Sequence, residues 1–105
     1  MIKVKIFRNT DKLVCGFDVM GHASGEHGNN IICSAVSALT QTALLGLGNH
    51  LQKKTSYKVE SGDMKVQLID EPDELTSAVL ETMILGLTEI MKLNPEEIRL
   101  KEYRR

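Results

Sequence analysis

The chain has 105 residues, 42% hydrophobic and 26% charged, which leaves room for one hydrophobic core and predicts a single domain over residues 1–105. A net charge of -1 argues against proteins that bind nucleic acid through a broadly basic surface, and we expect no direct nucleic-acid partner. No stretch is expected to reach the roughly 20 apolar residues of a membrane span, and the N-terminal residues lack the apolar region of a signal peptide. We therefore expect a cytoplasmic protein without a membrane partner, in which Cys15 and Cys33 are reduced thiols.

The first twenty residues predict an antiparallel pair of strands. Apolar and polar or charged side chains alternate over residues 2–7 and again over residues 13–20, the period of a half-buried strand. Turn-forming residues occupy 8–11, and so short a connection favours a hairpin. This alternation places Cys15 on the same face as Phe17, as a small buried thiol of the core.

The middle of the chain predicts an unusually apolar helix that begins near Ile31. No Asp, Glu, Lys or Arg occurs from His27 to Gln52, and leucine, isoleucine and valine cover several faces of the predicted helix. A helix that is apolar nearly all round is buried on more than one side. We therefore expect it to pack on the sheet and against a second helix or another subunit.

The second half of the chain repeats the order of strand, strand and helix. Residues 57–68 alternate around turn residues 61–63 and predict a second hairpin. An amphipathic helix follows from near Asp73 and ends at Asn94, which precedes a proline. Residues 98–101 alternate again and predict a short edge strand, with a plain tail as the alternative. The predicted fold class is α+β, with a mainly antiparallel sheet, two helices packed on it, the order β-β-α-β-β-α and a short C-terminal strand.

The junction between the second strand and the first helix carries the candidate chemistry. His22 leaves the strand, Cys33 lies eleven residues later, and the loop over residues 21–30 contains three glycines that suit a mobile lid. Asn30 is a good N-cap residue, which would place Cys33 in the first turn of the helix. The free N–H groups and the dipole at a helix start favour a thiolate.

This arrangement suits a thiol nucleophile. Cys33 would attack, His22 would act as general base and then as general acid to a leaving amine, and first-turn N–H groups would hold an oxyanion. The alternative is a buried helix cysteine beside a surface histidine. Ser37 lies one helical turn beyond Cys33, where it would hydrogen-bond near the thiol or to a helix carbonyl. The cysteines and loop histidines lack zinc-ligand spacing, so we expect neither a metal nor a cofactor.

Two sequence blocks resemble the ribosomal-processing cysteine protease Prp family, also called YsxB-like. The first is Gly-His-Ala at residues 21–23, and the second is Ile-Ile-Cys-Ser-Ala-Val-Ser-Ala-Leu at residues 31–39. The resemblance extends over essentially the whole chain. It departs from the family pattern at Asn30, where the family has an aspartate, and at Ser34, where it has an alanine. We therefore name no catalytic aspartate.

The resemblance implies a bacterial, cytoplasmic cysteine endopeptidase that forms a homodimer. The family removes a short N-terminal extension from the precursor of ribosomal large-subunit protein twenty-seven. By motif position, His22 and Cys33 would be the catalytic pair, while Gly21, Asn30 and Ser37 would support the site or the substrate loop. The alternative function is a non-catalytic, ribosome-associated or assembly protein that binds ribosomal components without cleaving a peptide.

Overall fold

The computed structural model describes residues 1–23, the backbone of residues 29 and 30, and residues 31–105. Its elements run in the predicted order, and the C-terminal run is a strand of seven residues, so the predicted α+β class is confirmed. The strands are β1 (Ile2–Arg8), β2 (Val14–Met20), β3 (Thr55–Glu60), β4 (Asp63–Leu68) and β5 (Ile98–Arg104). The helices are α1 (Asn29–Leu45), which continues into a π-helical turn (Gly46–His50), and α2 (Glu74–Leu93).

The five strands form one sheet in the order β3-β4-β2-β1-β5. The pairs β1–β2, β2–β4 and β3–β4 are antiparallel. Two of them, β1–β2 and β3–β4, are the predicted hairpins. The last strand, β5, lies parallel to β1 at the edge. Helix α2 connects β4 to β5, which run in the same direction, and a crossover of this kind needs a connection of helix length.

A β-bulge in β2 changes which of its side chains enter the core. Gly16 pairs with Phe7 and Val14 pairs with Arg8, so Cys15 is the extra residue between two paired positions. The strict alternation predicted for this strand is therefore wrong at its start. Val14 is fully buried within the main core cluster, whereas Cys15 is buried outside that cluster, with its thiol donating to the Phe7 carbonyl at 3.4 Å.

Both helices pack on one face of the sheet. Alternate residues of the strands and one side of each helix form the core, which includes Ile6, Phe17 and Leu87 with no exposed area. Helix α1 also contacts α2, where Leu39 lies against Gly86. Packing of α1 on the sheet and on the second helix is thus confirmed. Its far side, marked by Ile31 at 72% exposure and Leu45 at 57%, is uncovered in the single chain.

The expectation that no stretch is long and apolar enough to span a membrane is wrong. Ile31–His50 is a helical stretch of 20 residues with a mean hydropathy of 1.6, which meets that description by length and composition. Helices in the cores of soluble domains can be equally long and apolar. Val36, Ala43 and Leu47 of this stretch are buried against the sheet and α2, in the one core of the domain.

Helix α2 begins and ends where the sequence predicts. Asp73 is the N-cap: its carboxylate accepts from the Thr76 N–H at 2.9 Å, and the Thr76 hydroxyl accepts from the Asp73 N–H at 2.8 Å. This reciprocal pair satisfies two backbone donors of the helix start. Lys53 lies 2.7 Å from the same carboxylate, and this hydrogen bond holds the pKa of Asp73 below its usual range. Asn94 caps the other end.

An ion-pair cluster connects the sheet to α2. The Arg8 guanidinium donates to both carboxylate oxygens of Glu81, at 2.8 and 3.0 Å, and to Glu102 at 2.7 Å. These contacts lower the pKa of Glu81 and raise that of Arg8. Because the folded-state pKa of Glu81 is depressed, the pair stabilises the fold above the unfolded-state value of about 4.3 and loses that effect as pH falls.

We expect Glu81→Gln to lower the free energy of unfolding by about 1 kcal/mol near neutral pH. The effect is small because solvent screens the charges of an exposed ion pair. The Glu81 side chain is 44% exposed. Urea unfolding at pH 7 and at pH 3 measures the difference, which should shrink towards zero at the lower pH. The control is Glu89→Gln, which removes an ion pair to Lys92 on the same helix and should cost less than about 0.5 kcal/mol. A Glu81 effect that is equal at both pH values would contradict this assignment.

Candidate active site

Gly21 takes the chain out of β2 towards the candidate histidine. Its φ is +91°, and a Cβ there would overlap the Met1 carbonyl oxygen, so glycine is required on both counts. The Gly21 N–H donates to the Gly62 carbonyl at 2.9 Å. The Met1 amino group donates to the His22 carbonyl at 2.7 Å. The backbone on both sides of this bend is therefore fixed.

The imidazole of His22 lies against Gly62, the glycine of the turn between β3 and β4. A Cβ on Gly62 would overlap His22 Nε2 and would lie 3.0 Å from Cε1 and 3.1 Å from Cδ2. Gly62 also has a φ of +72°, which favours glycine. The bare backbone of this turn thus forms the surface on which the imidazole rests.

Cys33 faces the same region from the start of α1. Its Sγ accepts a hydrogen bond from the Ala23 N–H at 3.3 Å, so the backbone immediately after His22 contacts the sulfur. An N–H that donates to sulfur stabilises negative charge there. The thiol is half-buried, which shields it yet leaves it reachable.

The prediction that Asn30 is the N-cap residue of the helix is wrong. Helix α1 begins at Asn29, so Asn30 lies inside the first turn and Cys33 is the fifth helical residue. The unpaired N–H groups of the helix start therefore precede Cys33. The Asn30 side chain and residues 24–28 of the predicted lid lie outside the described residues, and the lid stays a prediction.

An open groove of about 730 Å³ joins the predicted residues. Gly21, His22, Cys33 and Ser37 all line it, with Ser37 one helical turn beyond the thiol. The Ser37 hydroxyl accepts from the Gln41 side-chain amide at 2.6 Å, which extends a polar lining along α1. Four of the five site residues predicted from the sequence thus lie in one groove.

The opposite wall of the groove comes from the β3–β4 turn and is acidic. Glu60 and Asp63 both line it. Lys58 donates to one Asp63 oxygen at 2.7 Å and holds the pKa of that carboxyl below its usual range, so Asp63 remains charged. The other oxygen of Asp63 is buried without a hydrogen-bond partner among the described residues.

Sequence reasoning missed this wall. Residues 61–63 signalled a turn, but their contact with His22 depends on β4 lying beside β2, a pairing that joins distant parts of the chain. The signal available in the sequence was the pair of glycines, Gly21 and Gly62, and both have a positive φ in the structure. Where two glycines lie next to the same histidine, two backbone segments come close together.

The arrangement can carry out nucleophilic catalysis by a thiol. A half-buried sulfur and an imidazole line one groove, and the backbone between them donates to the sulfur. A nucleophile beside a general base is the recurring requirement of this chemistry. The groove is open rather than enclosed, which suits an extended peptide better than a small buried ligand.

Comparison with known proteins agrees with this chemistry. The family model of the cysteine protease Prp matches residues 1–99. The crystal structure of SMU.848 from Streptococcus mutans superposes with a TM-score of 0.88 at 27% identity and covers 100% of this chain and 99% of that one. None of the curated proteins matches the chain.

Two structures of the essential ribosomal processing protease Prp from S. aureus also superpose. One holds a covalently linked product peptide; its TM-score is 0.89 at 25% identity, over 98% of this chain and 100% of that one. The other holds a substrate peptide and has a TM-score of 0.89 at 24% identity, over the same shares of the two chains, which shows the fold alone. The family match decides between the two candidate functions in favour of the enzyme. The chain belongs to the cysteine protease Prp family and is a cysteine protease.

Proposed function

We propose that this cysteine protease removes the N-terminal extension from the precursor of ribosomal large-subunit protein twenty-seven in the bacterial cytoplasm. The contact between the Ala23 N–H and the Cys33 sulfur carries the proposal, because it brings the nucleophile to the backbone next to His22. The S. aureus relative is described as a ribosomal processing protease and holds a covalently linked product peptide. An open groove accommodates such a peptide in extended form.

Cys33 and His22 would divide the reaction into two steps. The Cys33 thiolate attacks the scissile carbonyl carbon, and the tetrahedral intermediate collapses to a thioester as the His22 imidazolium protonates the leaving amine. His22 then takes a proton from water, whose oxygen attacks the thioester. The tetrahedral intermediate collapses to the carboxylic acid and the Cys33 thiolate, which restores the initial thiolate and imidazolium. Free N–H groups in the first turn of α1 would stabilise the oxyanion in both steps.

Asn30 sets this chain apart in the proposed mechanism. The family pattern has an aspartate here, whereas an amide carries no charge and cannot hold a positively charged imidazole by ion pairing. Gly21 and Ser37 keep supporting roles: the glycine allows the bend before His22, and the serine extends the groove along α1. The proposed catalytic machinery is thus a pair of residues rather than a charged triad.

A homodimer is part of the proposal. The side of α1 that faces away from the core carries Ile31 and Leu45, both more than half exposed, and no charged residue occurs anywhere on this helix. An uncharged exposed helix face favours association with a second copy of the chain. Light scattering of the purified protein measures the mass of the assembly directly.

The substrate is tested with a synthetic peptide that spans the processing site of the ribosomal precursor. Mass spectrometry should find cleavage at one bond, and a peptide of the same composition in scrambled order should stay intact. Equal cleavage of both peptides, or of neither, would reject the proposed substrate. The enzyme class would still stand on the family match.

His22→Ala should lower the rate of cleavage by about 10²–10⁴, the usual contribution of a general base. His50→Ala is the matched control, since His50 is exposed at the far end of α1 and its π-helical turn. Undiminished cleavage by His22→Ala would remove histidine from the mechanism.

A further inference from the structure

The sheet face opposite the helices is covered by no described helix or strand, and it carries an ordered array of side chains. Strand pairing aligns this open face in three rows that run across all five strands. The first row reads Glu60, Asp63, Met20, Lys3 and Arg99; the second reads Lys58, Lys65, Asp18, Lys5 and Lys101; the third reads Ser56, Gln67, Gly16, Phe7 and Tyr103. Arg105 follows at the end of β5.

Positive charge is concentrated on this open face. It carries seven of the thirteen Lys and Arg residues of the chain but three of its fourteen Asp and Glu residues. The net charge of -1 is therefore unevenly distributed over the surface. Lys58 pairs with Asp63 and Glu60, and Lys65 lies 3.9 Å from Asp18. Within the described residues, the cations of β1 and β5 on this face form no ion pair. Unpaired cations in one plane attract a polyanion.

Aromatic rings lie among these unpaired cations. Phe7 and Tyr103 are neighbours with ring centroids 6.0 Å apart. The Arg105 guanidinium covers the Phe7 ring at 3.6 Å, and Lys5 lies 5.9 Å from the Tyr103 centroid. Tyr103 is 41% exposed. An exposed ring flanked by cations is the usual platform for a stacked base.

A shallow hollow of about 320 Å³ continues the same surface towards β3. Its lining includes Ser56, Lys58, Lys65, Gln67 and Arg105, which are hydrogen-bond donors. Arg105 donates to the side-chain oxygen of Gln67 and so connects the hollow to the aromatic pair. The hollow thus offers polar groups beside the stacking surface.

We propose that the open face binds single-stranded RNA, with phosphates along the cations of β1 and β5 on this face and a base stacked on Tyr103. These cations are Lys3, Lys5, Arg99 and Lys101, which lie in adjacent rows of two paired strands and can contact successive phosphates. Lysine and arginine supply the phosphate contacts, and the hydroxyl and amide of Ser56 and Gln67 suit a ribose 2′-OH. The choice of RNA over DNA rests on the proposed ribosomal substrate.

This assignment revises the expectation that the protein has no nucleic-acid partner. That expectation used the net charge of the whole chain, whereas a polyanion responds to the charge of the face that it meets. The peptide groove shares Glu60 and Asp63 with the first row of the open face, at the end of the sheet formed by β3 and β4. RNA bound along β1 and β5 would therefore leave the groove free for a peptide.

Fluorescence anisotropy with a labelled twelve-nucleotide RNA of mixed sequence tests the proposal on the complete protein. Between 50 and 200 mM salt the affinity should fall roughly 50-fold, the change expected for about four neutralised phosphates on a single strand. DNA of the same sequence should bind more weakly, and polyglutamate of the same length should not compete. DNA that binds equally well would overturn the assignment to RNA, and competition by polyglutamate would replace RNA with an acidic peptide.

Variants locate the binding face. The double variant Lys5→Gln/Lys101→Gln should weaken RNA binding about tenfold or more, and Tyr103→Leu should weaken it about fivefold at unchanged charge. The matched control, Lys54→Gln/Lys92→Gln, removes the same charge elsewhere on the molecule. Equal weakening by the control, or none by the first two variants, would overturn the proposal. Peptide cleavage should be unchanged in all three variants, so the two proposals fail separately.

Discussion

Cys33→Ala is expected to abolish peptide cleavage, with a fall in the rate on the order of 10⁵ or more, as for other enzymes that lose a covalent nucleophile. Ser34 and Ser37 also line the groove, but a hydroxyl is a much weaker nucleophile than a thiol or thiolate and should not replace the sulfur. Single-turnover kinetics with the precursor peptide measures the loss. The wild-type enzyme should pass through a thioester that mass spectrometry detects, and the variant should not.

Cys15→Ala is the matched control, because Cys15 is the other cysteine of the chain. It lies in the bulge of β2 and contacts the Phe7 carbonyl rather than the groove. This variant should keep its cleavage activity, and iodoacetamide should label Cys33 before Cys15, which is 8% exposed. Normal cleavage by Cys33→Ala, or selective loss of activity on labelling of Cys15, would refute the assignment of the nucleophile.

Local periodicity accounts for most of the fold that was predictable. Alternating side chains marked both hairpins, and the 3.6-residue pattern with a capping aspartate and a terminal asparagine marked α2 from Glu74 to Leu93. These signals are local, since each depends on residues within a few positions of one another. The same logic placed His22 at a strand exit and Cys33 near a helix start.

Nonlocal features escaped prediction for a physical reason. The bulge at Cys15 inserts one residue into β2, and alternation counts cannot reveal it because they assume an unbroken pleat. The pairing of β2 with β4, which brings Gly62 to His22, is a tertiary choice between strands more than 40 positions apart in sequence. The charge asymmetry of the sheet likewise appears only when the strand register aligns Lys5 with Lys101.

Gly62→Ala should lower the rate of cleavage by about 10² or more, a loss comparable with removal of a general base. A Cβ at this position would overlap His22 Nε2, so the imidazole must leave its resting place beside the turn. The variant should also lose about 1–2 kcal/mol of stability, because an L-residue is strained at positive φ. Steady-state kinetics well below the melting temperature separates the loss of activity from the loss of stability.

The decisive comparison is a double-mutant cycle with His22→Ala. If Gly62 acts by positioning the imidazole, adding Gly62→Ala to the His22→Ala variant should not lower the cleavage rate any further. The two changes would then remove the same function. Gly48→Ala is the control, since a Cβ there meets nothing within 4 Å and the rate should stay close to that of the wild type. Losses that add in the double variant would show that Gly62 supports the fold rather than His22. Non-additive losses would make the β3–β4 turn a positioning element of the catalytic pair.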